Sequence, residues 1–391
     1  MSARVLEVLA AFLRLGCTSF GGPVAHLGYF RAEFVARRKW LDDAAYGDLV
    51  ALAQFLPGPA SSQVGIALGL LRAGLPGALA AWLGFTLPSA AIMIAAGYGL
   101  QSLHLSAAAG WMHGLKLAAV AVVAQAIWGM WPRLCPDRPR AALAVGSALA
   151  VLACSGAAAQ IAVLAAAGLI GWRWLPRGEA SAPAGEAWRL PRVVSWLGAV
   201  LFFGLLAALP LAARAGASLA LFDAFYRAGS LVFGGGHVVL PLLRAAVVPR
   251  WIGDDAFLAG YGIAQAVPGP LFTFAAYLGT VMQPAPSGWA GGLICVSAIY
   301  LPSFLLLIGV LPFWDALRQR RFVRAALTGI NAAVVGLLLA ALYRPVWTSA
   351  IFGPADFALG LAAFLLLALW RMPPWLVVIL GALGASAIAI A

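Results

Sequence analysis

Two stretches of this chain repeat each other. Phe12–Leu27 (FLRLGCTSFGGPVAHL) and Phe225–Leu240 (FYRAGSLVFGGGHVVL) stand 213 positions apart and agree at seven of 16 positions. Chance would give about one or two matches over that length. A second pair stands 211 positions apart: Gln54 with Pro57-Gly58-Pro59, and Gln265 with Pro268-Gly269-Pro270. Each copy interrupts an apolar run with Gly and Pro, the residues a continuous helix avoids. The chain therefore reads as two related halves, each with two helix breaks.

What surrounds the breaks is lipid-like. Of 391 residues, 63 % are hydrophobic and 10 % charged, against about 25 % charged in soluble domains. Apolar runs of about 20 residues recur, which predicts a polytopic, all-α membrane protein. The runs are continuous rather than alternating, which argues against a β-barrel. Met1–Phe30 lacks the pattern of a removable signal peptide. The net charge of +12 sits mostly in short loops, where it sets topology and does not predict a nucleic-acid partner. The four cysteines have no metal-ligand spacing. No cofactor or metal site and no catalytic triad is evident, so the chain does not read as an enzyme.

The sequence divides into a first repeat (residues 1–175), a linker with one unpaired span (176–215, the span being Val193–Ala213) and a second repeat (216–391). A single extra span inverts the second repeat, provided each repeat starts and ends on one side. Charge agrees: the loop around His104 has no Lys or Arg, whereas its copy Arg318–Arg324 has four. With Val5–Phe34 and Ala44–Leu71 each folded as a broken, re-entrant hairpin, 18 of the 25 basic residues face the cytoplasm. Arg14, Lys116 and Arg227 remain at membrane depth, where charges are costly and usually functional.

The motifs FGGPVAHLGYF, QFLPGP, FGGGHVVLPLL, QAVPGP and the AAVV run Ala332–Val335 together resemble the chromate ion transporter family in its two-domain form. The resemblance covers essentially the whole chain. It implies a multi-pass protein of the bacterial inner membrane that exports chromate and confers resistance. Two positions differ between the halves: Pro23 against Gly236, and Lys116 against Asn331.

The residues themselves suggest how an oxyanion would be held. Breaks at Gly21-Gly22-Pro23, Pro57-Gly58-Pro59, Gly234-Gly235-Gly236 and Pro268-Gly269-Pro270 start half-helices inside the membrane. Each such N-terminus carries about half a positive charge, so four offer about +2. The same residues also suit kinks and close packing. Arg14 and Arg227 would bind the anion bidentately, although Arg14 could instead pair with Glu7. Lys116, its counterpart Asn331, Gln54 and Gln265 complete the expected substrate-binding set. Ser61, Ser62 and Thr273 after the PGP triplets read as hydroxyl donors or small packing residues. His26, Asp48 and His237 are candidate proton carriers. The expected function is secondary export of chromate, driven by membrane potential, proton exchange or both. Sulfate or another oxyanion is the alternative cargo, and a membrane scaffold or channel-like subunit the alternative class. The bilayer is the expected surrounding partner, and a homo-oligomer stays open.

Overall fold

The computed structural model describes residues 3–20, 22–102, 110–154, 157–175, 190–232, 238–283, 286–314 and 320–390. Among them are sixteen α-helices and no strand. Gly21, Gly234, Gly235, Gly236 and His237 of the expected site lie outside the described residues, as do the His104 loop and most of the linker.

The first half begins with α1 (Ala3–Thr18) and α2 (Gly22–Phe30), the latter continued by a π-helical turn Arg31–Arg37. Then come α3 (Asp43–Phe55) and α4 (Ala60–Ser102). Asp42 caps α3 by accepting the Ala45 amide at 2.8 Å. α4 is two helices in one: the backbone leaves the helical region at Ala73 and at Gly74, whose φ is +67°. α5 (Gly110–Leu134), α6 (Arg138–Ala153) and α7 (Ala157–Trp174) complete this half. α8 (Arg192–Ala212) is the predicted unpaired span.

The second half runs α9 (Ala217–Leu231), α10 (Val239–Val247), α11 (Asp254–Ala266), α12 (Phe274–Val281) and α13 (Gly288–Val310). It ends with α14 (Arg321–Ala341), α15 (Pro354–Ala368) and α16 (Pro374–Ile390). One boundary differs from the sequence reading. α14 begins inside the stretch Arg318–Arg324 read as a loop, so Arg321 and Arg324 lie in its first turns. A helix end tolerates Arg because the long side chain carries its charge outward.

Five helical stretches are long and apolar enough to cross a membrane: Ala60–Leu100, Gly110–Pro132, Arg192–Ala215, Gly288–Phe313 and Arg321–Arg344. Their number and their place in the chain make this a multi-pass membrane protein. Glu7, in the second turn of α1, accepts hydrogen bonds from Arg38 at 3.3 Å and from Arg72 at 2.8 Å. The chain thus returns to the start of α1 after α2 and again after the first part of α4.

The halves interlock. α5 packs on α15 and α16 of the second half, and its counterpart α14 packs on α6 and α7 of the first. One core joins Phe12, Phe30, Phe34 and Phe85 of the first half to Leu307, Leu311 and Trp314 of the second. A larger core surrounds Phe225, Tyr261, Phe274 and Tyr277 and takes in Met93, Leu117 and Val123 from the first half. α8 lies outside both, with Val193, Trp196 and Phe203 exposed.

Candidate functional site

The breaks meet in crossed pairs. The Gly58 amide donates to the Val232 carbonyl at 2.6 Å, and the Gly269 amide donates to the Ser19 carbonyl at 2.8 Å. Ser19 and Val232 hold equivalent places, each the residue before a Phe-Gly-Gly. Each PGP turn is therefore tied to the end of the helix that precedes the other half's FGG break. α2 starts at Gly22 with φ +74°, and Pro23 follows in its first turn, where the missing N–H costs nothing.

The two central glycines are fixed by conformation and by neighbours. Gly58 has φ +128° and Gly269 φ +94°, values that side-chain-bearing residues rarely adopt. A Cβ on Gly269 would stand 2.8 Å from Ser89 Oγ, and one on Gly58 would press on Gln63 Nε2 and Ser303 Oγ. Ser89 and Ser303 are again counterparts, each following a kinking proline, Pro88 in α4 and Pro302 in α13. Each PGP glycine thus touches a serine of the opposite half.

Around this crossing lie buried polar groups that the fold leaves unbonded. Ser62, Thr86 and Ser303 are at most 3 % exposed, and Gln63 and Tyr300 are fully buried. Among the described residues, Ser19 Oγ, Gln63 Oε1 and Ser303 Oγ have no hydrogen-bond partner. The Tyr300 hydroxyl faces those of Ser62 and Thr86. Gln63 Nε2 donates to the Pro57 carbonyl at 2.7 Å, which aims the rest of its amide into the cluster. Ser89 Oγ donates to the Thr86 carbonyl at 3.1 Å, and Thr273 Oγ1 to the Pro270 carbonyl at 2.9 Å. An unmet buried hydrogen bond costs about 1–3 kcal/mol. Several in one place mark a site kept for something other than stability.

His26 is buried beside the crossing, with Nδ1 3.3 Å from Ser61 Oγ and Nε2 3.3 Å from the Ser19 carbonyl. It braces the first FGG break against the start of α4. Gln265 is half-buried with Nε2 unbonded, and so is Asn331 with Oδ1 unbonded, whereas Gln54 is exposed. Pro57, Pro59, Pro268 and Pro270 frame the crossing, and Asp48 is half-buried on α3.

The expected cations are arranged differently from the sequence reading. Arg14 is exposed on α1, facing away from the buried side formed by Phe12, Leu15 and Gly16. Glu7 does not pair with it but with Arg38 and Arg72, and it also accepts from Trp40 Nε1 at 3.3 Å. Arg227 is bonded to Asp223, four residues earlier, at 2.8 Å. Lys116 is buried, but its Nζ is held by Asp255 at 2.5 Å. The groups that line the crossing are thus neutral: hydroxyls, with the Gln63 amide oxygen as an acceptor among them. Their sequence signal was the recurrence of Pro-Ser at Pro88-Ser89 and Pro302-Ser303, and of a hydroxyl at Thr86 and Tyr300, both 214 positions apart. Among the described residues no three His, Cys, Asp or Glu side chains converge as a metal site would require.

The fold and this crossing define a multi-pass helical membrane protein with a buried polar site between two interlocked halves. The chain belongs to the chromate transporter family: the family model, described as "Chromate transporter", matches it twice, over residues 6–172 and 219–386. A "Chromate transport protein" of Pseudomonas aeruginosa is 28 % identical over 368 residues, covering 91 % of this chain and 86 % of that protein. One of Cupriavidus metallidurans is 26 % identical over 350 residues, 86 % of this chain and 81 % of that protein. An uncharacterized transporter of Bacillus subtilis is 34 % identical over 125 residues, 31 % of this chain and 68 % of that protein. No solved structure matches the chain.

Proposed function

We propose that this protein is a secondary transporter that exports chromate from the cytoplasm across a bacterial inner membrane, and that the anion binds at the crossing of the two broken segments. The observation that carries this is the set of buried, unbonded hydroxyl and amide groups where each PGP turn meets the other half. A tetrahedral dianion leaving water needs many donors at once, and hydroxyls clustered beside helix starts supply them. The starts of α2 and α4 at the breaks add the positive ends of their dipoles.

The two halves act as inverted repeats. Support comes from the doubled family match, the exchanged contacts of α5 and α14, and the crossed Gly58–Val232 and Gly269–Ser19 bonds. A third pair agrees: Arg31–Asp43 and Arg244–Asp254, both 2.7 Å, recur at equivalent positions. The return of Arg38 and Arg72 to Glu7 supports re-entrant hairpins whose breaks sit at membrane depth. Such a site, reached alternately from either side as the halves rock, is the arrangement of inverted-repeat transporters.

Direction follows from charge. A dianion leaving a negative interior gains about 4.6 kcal/mol per 100 mV, at about 2.3 per elementary charge. Potential alone can therefore drive export. Arg14 and Arg227, within a turn or two of the breaks, draw the anion toward the site without binding it there. In everted membrane vesicles, chromate uptake should follow an imposed interior-positive potential. Arg14→Gln and Arg227→Gln should slow that uptake at low chromate concentration. Full inhibition by equimolar sulfate would make sulfate the better cargo, and uptake indifferent to potential would mark a passive channel.

A further inference from the structure

One buried cation joins the two halves outside the crossing. Lys116, on α5, has a side chain only 7 % exposed, and its ammonium is held by an Asp255 carboxylate that is 52 % exposed. The neighbouring carboxylate, Asp254, is taken by Arg244 at 2.7 and 2.9 Å. His113, one turn before Lys116 on α5, is 2.7 Å from Asp356. The Lys116–Asp255 pair is therefore private to these two residues among the described ones.

Its placement along α11 is uneven. A Cβ on Gly262 would stand 2.9 Å from the Leu115 carbonyl, so Lys116 leaves α5 level with the middle of α11. From there its side chain runs toward Asp255, seven residues or about 10 Å nearer the start of α11. In the other direction, one turn past Gly262, stands Gln265 with its Nε2 unbonded. Gln265 leads directly into Pro268-Gly269-Pro270 and the crossing. An oxyanion beside Gln265 would accept from that free amide nitrogen and pair with the same ammonium. The symmetry-related place has nothing equivalent: Asn331 of the second half stands for Lys116, and Ala44 of the first half for Asp255.

We propose that Asp255 is a resident carboxylate competitor: it holds the Lys116 ammonium when the site is empty, and a bound oxyanion draws Lys116 away from it toward Gln265. This rests on the transport reading above. Asp255 then weakens anion binding and speeds release, because every departing anion is replaced by a carboxylate already in reach. Lys116 contacts the anion, and Asp255 is a positioning residue that acts through Lys116.

The test is the concentration dependence of chromate flux in proteoliposomes holding the purified full chain. Asp255→Asn should lower KM about tenfold and lower the maximal rate with it, a coupling of ordinary size between competing contacts. Asp255→Glu should restore both values. Lys116→Asn should raise KM, and adding Asp255→Asn to it should change KM no further, which isolates the pair. The double variant also leaves no buried charge unpaired, so it reports even where Asp255→Asn folds poorly. An unchanged or raised KM in folded Asp255→Asn, or a further KM change in the double variant, overturns the proposal while leaving transport intact. A wild-type protein with no chromate flux overturns the transport reading and this proposal together.

Discussion

A methyl group at Gly269 would meet two obstacles. The positive φ of +94° disfavours any Cβ, by about 1–2 kcal/mol, and the added atom would lie 2.8 Å from Ser89 Oγ. Ser89 cannot give way easily, because its hydroxyl is bonded to the Thr86 carbonyl and the residue is fully buried. Gly269→Ala should therefore cost stability and also move a donor of the site. The expected result is chromate flux below a tenth of wild type, with the unfolding free energy lower by about 2 kcal/mol. Flux at the wild-type level would show that the crossing does not need its close approach. The breaks at the two PGP triplets were legible in the sequence, because Gly and Pro interrupt lipid-length apolar runs there. The hydroxyls were not. A serine or tyrosine in an apolar helix reads as packing until its partner across the molecule is known, and Ser303 meets Gly58 from 245 residues away.

The short helices depend on their ends being tied together. Glu7 gathers Arg38, Arg72 and Trp40 at one point, and Arg38 and Arg72 also lie 5.8 and 5.3 Å from the Trp40 ring centre. This joins the start of α1, the end of the α2 hairpin and the kink in α4. Glu7 is about one-third exposed, so each pair contributes at most about 1 kcal/mol. Glu7→Gln should lower Tm by about 2 °C, as about 1 kcal/mol does in a chain of several hundred residues. It should leave the KM for chromate unchanged, since the cluster lies at the hairpin ends and not at the crossing. Loss of binding in that variant would place Glu7 in the site. The sequence suggested Arg14 as the partner of Glu7, seven residues on and on the same helix face. Tertiary return of the hairpin overrides that local choice, and periodicity along one helix carries no trace of it.

Across the whole molecule the two halves exchange elements, and this sets what each break can touch. α5 and α14 each pack against the closing helices of the other half, so neither half completes the crossing alone. The repeat was readable from the recurrence of motifs, and the family model matches the chain twice. The exchange was not readable, because equivalent helices carry the same apolar pattern whichever partner they meet. If the repeats are inverted, Lys39-Trp40 and its copy Arg250-Trp251 face opposite sides of the membrane. Single cysteines at positions 39 and 250, in a chain with Cys17, Cys135, Cys154 and Cys295 replaced, should label from opposite faces of sealed vesicles. Labelling from one face would remove the inversion.

The central claim is that the oxyanion binds at the crossing, where buried hydroxyls donate to it, and equilibrium binding of chromate to the purified protein tests it without any assumption about energy coupling. Ser303 Oγ is buried and unbonded, so Ser303→Ala removes no internal hydrogen bond and should leave Tm unchanged or slightly higher. With Ser19→Ala added, a second unbonded hydroxyl is lost, at about 1.5 kcal/mol for each of the two, the low end for a charged acceptor. The account predicts a dissociation constant for chromate about a hundredfold above wild type in a folded double variant. A dissociation constant equal to wild type would contradict it.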